Sequence, residues 1–226
     1  MRAIAEEKED AAMEAVKLVT DSMVIGLGTG STAAYAIRAI GERVAQGLKI
    51  KAVPTSRNSE ALARSLGIPI TTLAEHPVVD LTIDGADAFD RQLNLIKGGG
   101  GALLREKIVA ACSRRLVIIA DSGKLHTPLG GFPLPVEVIK FGVRPVWRHF
   151  GRLNLNPAIR HDAQKQTPFI TDEGNYIIDL HIDVITDPTM LAGQLRFPGV
   201  VEHGLFLGMA HTVLMGLGAE VKQFQR

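Results

Sequence analysis

Short apolar runs that stop at glycine, proline or aspartate alternate with helix-period segments through the first half of this 226-residue chain. Runs at 23–28, 50–53, 78–83 and 116–120 each read as a buried strand. Residues 3–20 set Ala12, Ala15, Val16 and Val19 on one helical face. Ser31 or Thr32 starts a helix ending near Gly47, and further helices cover 59–66 and 102–112. This alternation predicts a Rossmann-like α/β domain, a parallel sheet wrapped by helices on both faces. Such sheets bind ligands at the carboxyl ends of their strands. The glycine turn at 26–30 and the turn at Asp84 both fall at strand ends, so they are expected to share one crevice.

The pattern changes after Gly130. Pro133 and Pro135 punctuate the chain, followed by an expected strand at 136–141 and a helix at 143–151. Strands are expected near 158–161 and 176–183, a short helix at 188–195, and another strand at 200–207. The order β-α-β-β-α-β is the ferredoxin-like arrangement, a smaller α+β domain. The tail at 209–224 reads as strands returning to the first domain. The expected division is 1–130 with 208–226 for the Rossmann-like domain and 131–207 for the ferredoxin-like one.

Composition removes several classes of function. Lys plus Arg number 25 against 24 Asp plus Glu, so no global field draws in nucleic acid or an anionic membrane, and anion binding must be local. The single cysteine, Cys112, precludes an intramolecular disulfide and any multi-cysteine metal cluster, and reads as a buried spectator at a helix end. The mixed charge of the first ten residues is unlike a signal or transit peptide. No apolar run approaches the roughly 18 residues needed to span a bilayer. A cytoplasmic protein is expected.

Chemistry concentrates between Asp84 and Lys107. Lys97-Gly-Gly-Gly-Gly101 puts four glycines in a row, a costly choice unless the backbone must turn tightly or approach a ligand. Asp84-Gly-Ala-Asp87 places two acids on one turn, able to hold sugar hydroxyls or to tune neighbouring pKa values, or simply to cap a turn. No histidine accompanies the pair at metal-ligand spacing, so a metal is not expected. Lys97 can neutralise an oxyanion. Glu106 lies early in the following helix between Arg105 and Lys107, neither of which shares its helix face. It is either a surface glutamate or a base aimed into the crevice, its pKa then raised by partial desolvation.

Gly26-Leu-Gly28-Thr-Gly30-Ser-Thr32 joins a strand to a helix. Helix N-terminal amides favour phosphate, and Thr29, Ser31 and Thr32 add hydroxyls, although such a turn can also be purely structural. A dinucleotide fingerprint would need glycine at position 31, and Pro54-Thr55-Ser56 stands where its ribose-binding acid should be. No lysine precedes Ser31, so this is not a Walker loop. The reading is a monophosphate cradle, which Lys124 in Asp121-Ser-Gly-Lys124 can close from the other side.

In order and spacing these segments resemble the ribose-5-phosphate isomerase type A family. Phe132-Pro-Leu-Pro-Val-Glu-Val138, Thr171-Asp-Glu-Gly-Asn175 and Pro198-Gly-Val-Val-Glu-His-Gly-Leu-Phe206 extend the resemblance over nearly the whole chain. It implies interconversion of D-ribose 5-phosphate and D-ribulose 5-phosphate through a cis-enediolate, with no redox cofactor or metal, in a homodimer. By the same resemblance Glu106 is the base, and Asp84, Asp87 and Lys97 manage ring opening, hydroxyl protons and the oxyanion. Thr29, Gly30, Ser31, Thr32 and Lys124 hold the phosphate, with Lys8 a further candidate. Gly85, Ala86, Gly98, Gly99 and Gly100 line the substrate.

Three positions depart from the family pattern. Ala88 stands where an acid is usual, which implies a missing charge at the site rim. Gly101 and Leu104 replace the usual alanine and threonine, which implies one loosened position and one lost hydroxyl. Two rival readings remain. An amino-sugar phosphate deaminase or phosphogluconolactonase calls for a histidine near the base, and none lies between His76 and His126. A non-catalytic sugar-phosphate sensor would carry a DNA-binding module and has no need of Glu106.

Overall fold

Strands apolar on both faces need helices on both faces. The computed structural model describes residues 4–162, 164 and 167–226, so residue 3, the expected start of the first helix, lies outside the described residues. Helix α1 (Ile4–Val16) precedes β1 (Val24–Leu27), α2 (Ser31–Ala45), β2 (Lys51–Pro54), α3 (Arg57–Ser65) and β3 (Leu81–Gly85). Two short strands, β4 (Ala88–Phe89) and β5 (Leu95–Ile96), lead to α4 (Leu103–Ala111) and β6 (Leu116–Asp121). Then come β7 (Leu129–Gly130), β8 (Leu134–Val138), α5 (Val143–Arg152), β9 (Pro157–Ile159) and β10 (Tyr176–Leu180). The chain closes with β11 (Val184–Ile185), α6 (Pro188–Gln194), β12 (Val200–His203), β13 (Leu205–Phe206), β14 (Thr212–Leu217) and β15 (Glu220–Gln225).

One compact unit comprises the chain up to Ala86, Arg105–Lys124 and Gly208–Arg226. Its sheet runs β15-β14-β6-β3-β1-β2 and is parallel except for the β14–β15 hairpin. Ile25 and Leu27 share a core with Ala12, Val16, Ile37, Ile40 and Ala63, so α1, α2 and α3 cover one face. The two-residue period turns Gly26 to the opposite face, where Val109 of α4 lies only 2.8 Å from the place a Cβ would take. The chain leaves β1 for β2 on one side and returns to β3 on the other. That switch point opens the sheet's binding position outside the carboxyl ends of β1 and β3.

The other unit comprises Asp87–Leu104 and Leu125–Leu207. Its four-stranded antiparallel sheet has the order β12-β8-β10-β9, with α5 and α6 as the two connections, which is the ferredoxin-like order. Val136, Val138, Val146, Phe150, Ile178, Leu180 and Leu191 fill its core. The ribbons β13-β5-β4 and β11-β7 complete it.

Several boundaries differ from the sequence expectation. The strand expected at 136–141 runs Leu134–Val138, with Pro135 inside it and its carbonyl accepting the Gly204 amide at 2.7 Å. The chain must then turn into α5, and the 3-10 turn Lys140–Gly142 leaves Phe141 96% exposed, so the apolar alternation outlasts the strand. The run at 200–207 splits at Gly204 into β12 and β13, which belong to different sheets. The strand expected at 176–183 ends at Leu180, which leaves His181 and Asp183 exposed in the connection after β10.

Candidate active site

At the carboxyl ends of β1 and β3 the loop before α2 is fixed by a dense set of bonds. The Gly28 amide donates to Ile83 O at 2.9 Å, and the Thr29 amide donates to Asp84 Oδ1 at 3.0 Å. Asp84 is buried, and the same oxygen accepts the Gly85 amide at 2.7 Å. A Cβ on Gly28 would stand 2.5 Å from the Asp84 Cα, so only glycine lets the two strand ends approach. The Thr29 hydroxyl turns to Thr55, Ser56 and Ser59, at 2.8, 2.8 and 3.2 Å. Ser59 Oγ in turn donates to Gly28 O at 2.6 Å. Thr29 therefore shapes the loop, while Gly30, exposed Ser31 and buried Thr32 form the start of α2, where no side chain caps the helix.

Lys8 of α1 reaches this helix start, its Nζ donating to Ser31 Oγ at 3.1 Å and lying 3.9 Å from Asp121 Oδ2. Lys124, half-buried, sits on the 3-10 turn Ser122–Lys124 that follows β6. That turn is held by Glu7, a buried carboxylate of α1 whose Oε2 accepts the Ser122 amide and whose Oε1 accepts the Gly218 amide, each at 3.0 Å. These bonds, from Gly218 first and then Ser122, hold the Glu7 carboxyl below its ordinary pKa.

Glu106 is buried in the first turn of α4. It shares a helix face with Val109 three residues on, and Val109 packs against Gly26 of β1. Just beyond the C-terminal end of α4, the Cys112 carbonyl accepts the Val79 amide near the start of β3. The helix thus runs against the strands, and its first turn lies toward their carboxyl ends. Cys112 is half-buried against the Val53, Val79 and Val109 cluster rather than fully buried.

In the ferredoxin-like unit Asp87 Oδ2 accepts the Gly99 amide at 2.7 Å, which ties the acid to the glycine run. Lys97 is 2% exposed, with its Nζ 5.5 Å from the centroid of the Phe206 ring. Gly98 to Gly101 form a turn closed by the Gly101 amide on Gly98 O at 3.0 Å, and Gly100 is exposed. Gly85 and Ala86 are half-buried at the end of β3.

Two of the departures change meaning. Ala88 is fully buried in the core with Leu134 and Val136, so no rim charge is missing there. Gly101 is not a loosened position. Its φ is +81°, and a Cβ would come within 2.4 Å of Phe169, which fills that space.

Glu7, the Thr55, Ser56 and Ser59 hydroxyls, and the Arg160–Asp179 pair escaped the sequence reading. For Ser56 a signal existed: a serine three residues before another, opening a helix, is an N-cap, and Ser56 Oγ does accept the Ser59 amide.

An uncapped helix start at the carboxyl ends of β1 and β3 places the chain in the class of open α/β proteins whose ligand position lies at a topological switch point. The sequence profile of ribose 5-phosphate isomerase A (phosphoriboisomerase A) matches residues 51–220, and the chain belongs to this family. It is 49% identical to the ribose-5-phosphate isomerase A of Sphingopyxis alaskensis, over 96% of this chain and 94% of that one. The structure superposes on ribose 5-phosphate isomerase A of Methanocaldococcus jannaschii with a TM-score of 0.94 at 42% identity, covering 99% of this chain and 100% of that one. A D-ribose-5-phosphate isomerase in complex with phospho-erythronic acid gives a TM-score of 0.96 at 39% identity, with 100% of both chains covered.

Proposed function

We propose that this protein interconverts D-ribose 5-phosphate and D-ribulose 5-phosphate, an aldose–ketose isomerisation of the pentose phosphate pathway. Family membership carries the reading. In the proposed reaction Asp84 and Asp87 assist ring opening by moving a proton from the anomeric hydroxyl to the ring oxygen. Glu106, as carboxylate, then takes the C2 proton of the open aldehyde. The electron pair left at C2 forms the C1–C2 double bond, and negative charge grows on the carbonyl oxygen, where Lys97 and loop amides stabilise it. A proton passes between the two oxygens, and Glu106 returns its proton to C1 to give the ketose. The phosphate does not react. Held by the start of α2 with Ser31, Thr32, Lys8 and Lys124, it would anchor a small flexible sugar so that its carbons meet the base.

The burial of Glu106, a group that a charged surface helix would leave in water, supports its assignment as base. The Lys8–Ser31 bond supports Lys8 as a phosphate ligand. The same reading takes the protein as a cytoplasmic homodimer, for which sedimentation equilibrium should return about twice the 24.3 kDa chain mass. The test of activity is incubation with D-ribose 5-phosphate in chelator-treated buffer. Ribulose 5-phosphate should accumulate to a constant ratio approached from either sugar. Saturable binding without turnover would favour a sensor instead.

A further inference from the structure

Arg160, just past β9, lies in none of the motifs above, yet its guanidinium reaches the glycine run. Its Nη1 donates to Gly98 O at 2.9 Å and to Gly99 O at 3.0 Å. Its Nε and Nη2 grip Asp179 of β10 at 2.8 and 2.5 Å, with both side chains about five-sixths buried. The guanidinium carbon lies 5.9 Å from the Phe169 ring centroid, the same ring that fills the space beside Gly101. One cation, oriented by one carboxylate and one ring, therefore grips two successive carbonyls of a turn whose four residues carry no side chains.

In a trans peptide the carbonyl and the following N–H point in opposite directions. Drawing the Gly98 and Gly99 carbonyls toward Arg160 turns the Gly99 and Gly100 amides the other way. The Gly99 amide shows the result in its 2.7 Å bond to Asp87 Oδ2. A cation at the carbonyl end also polarises each peptide and strengthens its amide as a donor. Lysine could not replace it, because a single ammonium offers no planar fork to hold Asp179 side-on while reaching both carbonyls.

We propose that Arg160, held by Asp179, is a positioning residue for the isomerisation. It sets the Gly98–Gly101 turn so that the Gly99 amide orients Asp87 and the Gly100 amide faces the oxygen on which enediolate charge develops. This role rests on the reading of Lys97 to Gly100 as part of the reacting site. Donors of this kind act on charge that grows in the transition state, so their loss should appear in kcat more than in KM.

The test uses the full chain with Arg160→Gln and Arg160→Lys, and Asp179→Asn as the alternative should the arginine variants not fold. The expected result is a fall in kcat of about 10- to 100-fold, the range seen when the partners that orient metal-ligating side chains are removed. KM for ribose 5-phosphate should move less than about threefold. Inhibition by phospho-erythronic acid, whose carboxylate supplies charge resembling the enediolate's, should weaken in step with kcat, while inhibition by inorganic phosphate should not change. Added guanidinium ion should restore part of the rate to Arg160→Ala. An active wild-type chain whose variants keep kcat within twofold overturns the positioning role alone. So does a loss shared equally by kcat, KM and phosphate inhibition, which marks a merely structural tether. An inactive wild-type chain overturns the isomerase reading, and this role with it.

Discussion

Asp84 Oδ1 accepts the Thr29 amide at 3.0 Å, so the end of β3 holds the loop that opens α2. The carboxylate thus has an architectural duty besides the ring-opening role proposed for it, and two substitutions separate these. Asp84→Asn keeps an acceptor oxygen for the Thr29 and Gly85 amides and removes the charge. Its thermal midpoint should stay near wild type while kcat falls. Asp84→Ala leaves both amides without their acceptor, at about 1–3 kcal/mol, and should lose stability and raise KM as well. Equal stability loss in both variants would contradict this division.

Glu7→Gln should destabilise the protein by about 1.5–3 kcal/mol at neutral pH, because an amide cannot accept from both Ser122 and Gly218 as the carboxylate does. The pH dependence has a definite sign. The folded pKa lies below the ordinary 4.5, so the carboxylate's contribution is complete above that value and is lost as pH falls through the folded pKa. The stability gap between wild type and variant should therefore be constant near neutrality and shrink below pH 4.5. Denaturant titrations across that range measure it.

Glu137 behaves in the opposite sense. Burial raises its carboxyl above 4.5, only partly offset by bonds from Asn175 Nδ2 at 2.9 Å and Thr171 Oγ at 2.8 Å, both to Oε1. A raised folded pKa gives stability that is complete below 4.5 and lost as pH rises through the folded value. Glu137→Gln keeps the acceptor and cannot ionise. It should match wild type in acid and exceed it in stability at higher pH, by about 1.4 kcal/mol for each pKa unit of the upward shift. Thermal unfolding at several pH values decides the point.

Gly101→Ala should destabilise, since φ is +81° and the new methyl meets Phe169. Left-handed backbone costs of order 1–3 kcal/mol in a non-glycine residue. Combining it with Phe169→Val should remove the clash but not the backbone strain. The double variant should lose less than the sum of the singles, a coupling readable in a double-mutant cycle.

What the sequence disclosed follows from how local each feature is. The helix start at Ser31, the acids of Asp84-Gly-Ala-Asp87 and the glycine run were legible because each motif carries its chemistry within a few residues. The strand–helix alternation was legible for the same reason, since periodicity is a short-range signal. Glu7 was not, because its two amide partners lie 115 and 211 residues away along the chain. Arg160 and Asp179 were hidden likewise: neither sits in a motif, and only the antiparallel neighbours β9 and β10 bring them to each other. Ala88 misled because a position beside two acids looks exposed, whereas both residues of β4 are buried and Ala88 packs into the core. The strand expected at 136–141 overran because apolar alternation does not record where a chain must turn into its next helix.

Glu106 as the proton carrier is tested by comparing turnover of ribose 5-phosphate by the wild-type chain and by Glu106→Gln, with sugar-phosphate binding followed in parallel. Glutamine keeps the shape of the side chain and removes the base. The expected result is an active wild-type chain, a variant slower by several orders of magnitude, and ribose 5-phosphate affinity retained within about threefold in the variant. A variant that isomerises at a rate close to wild type would contradict Glu106 as the proton carrier. A wild-type chain that binds the sugar phosphate without converting it would contradict the isomerase itself.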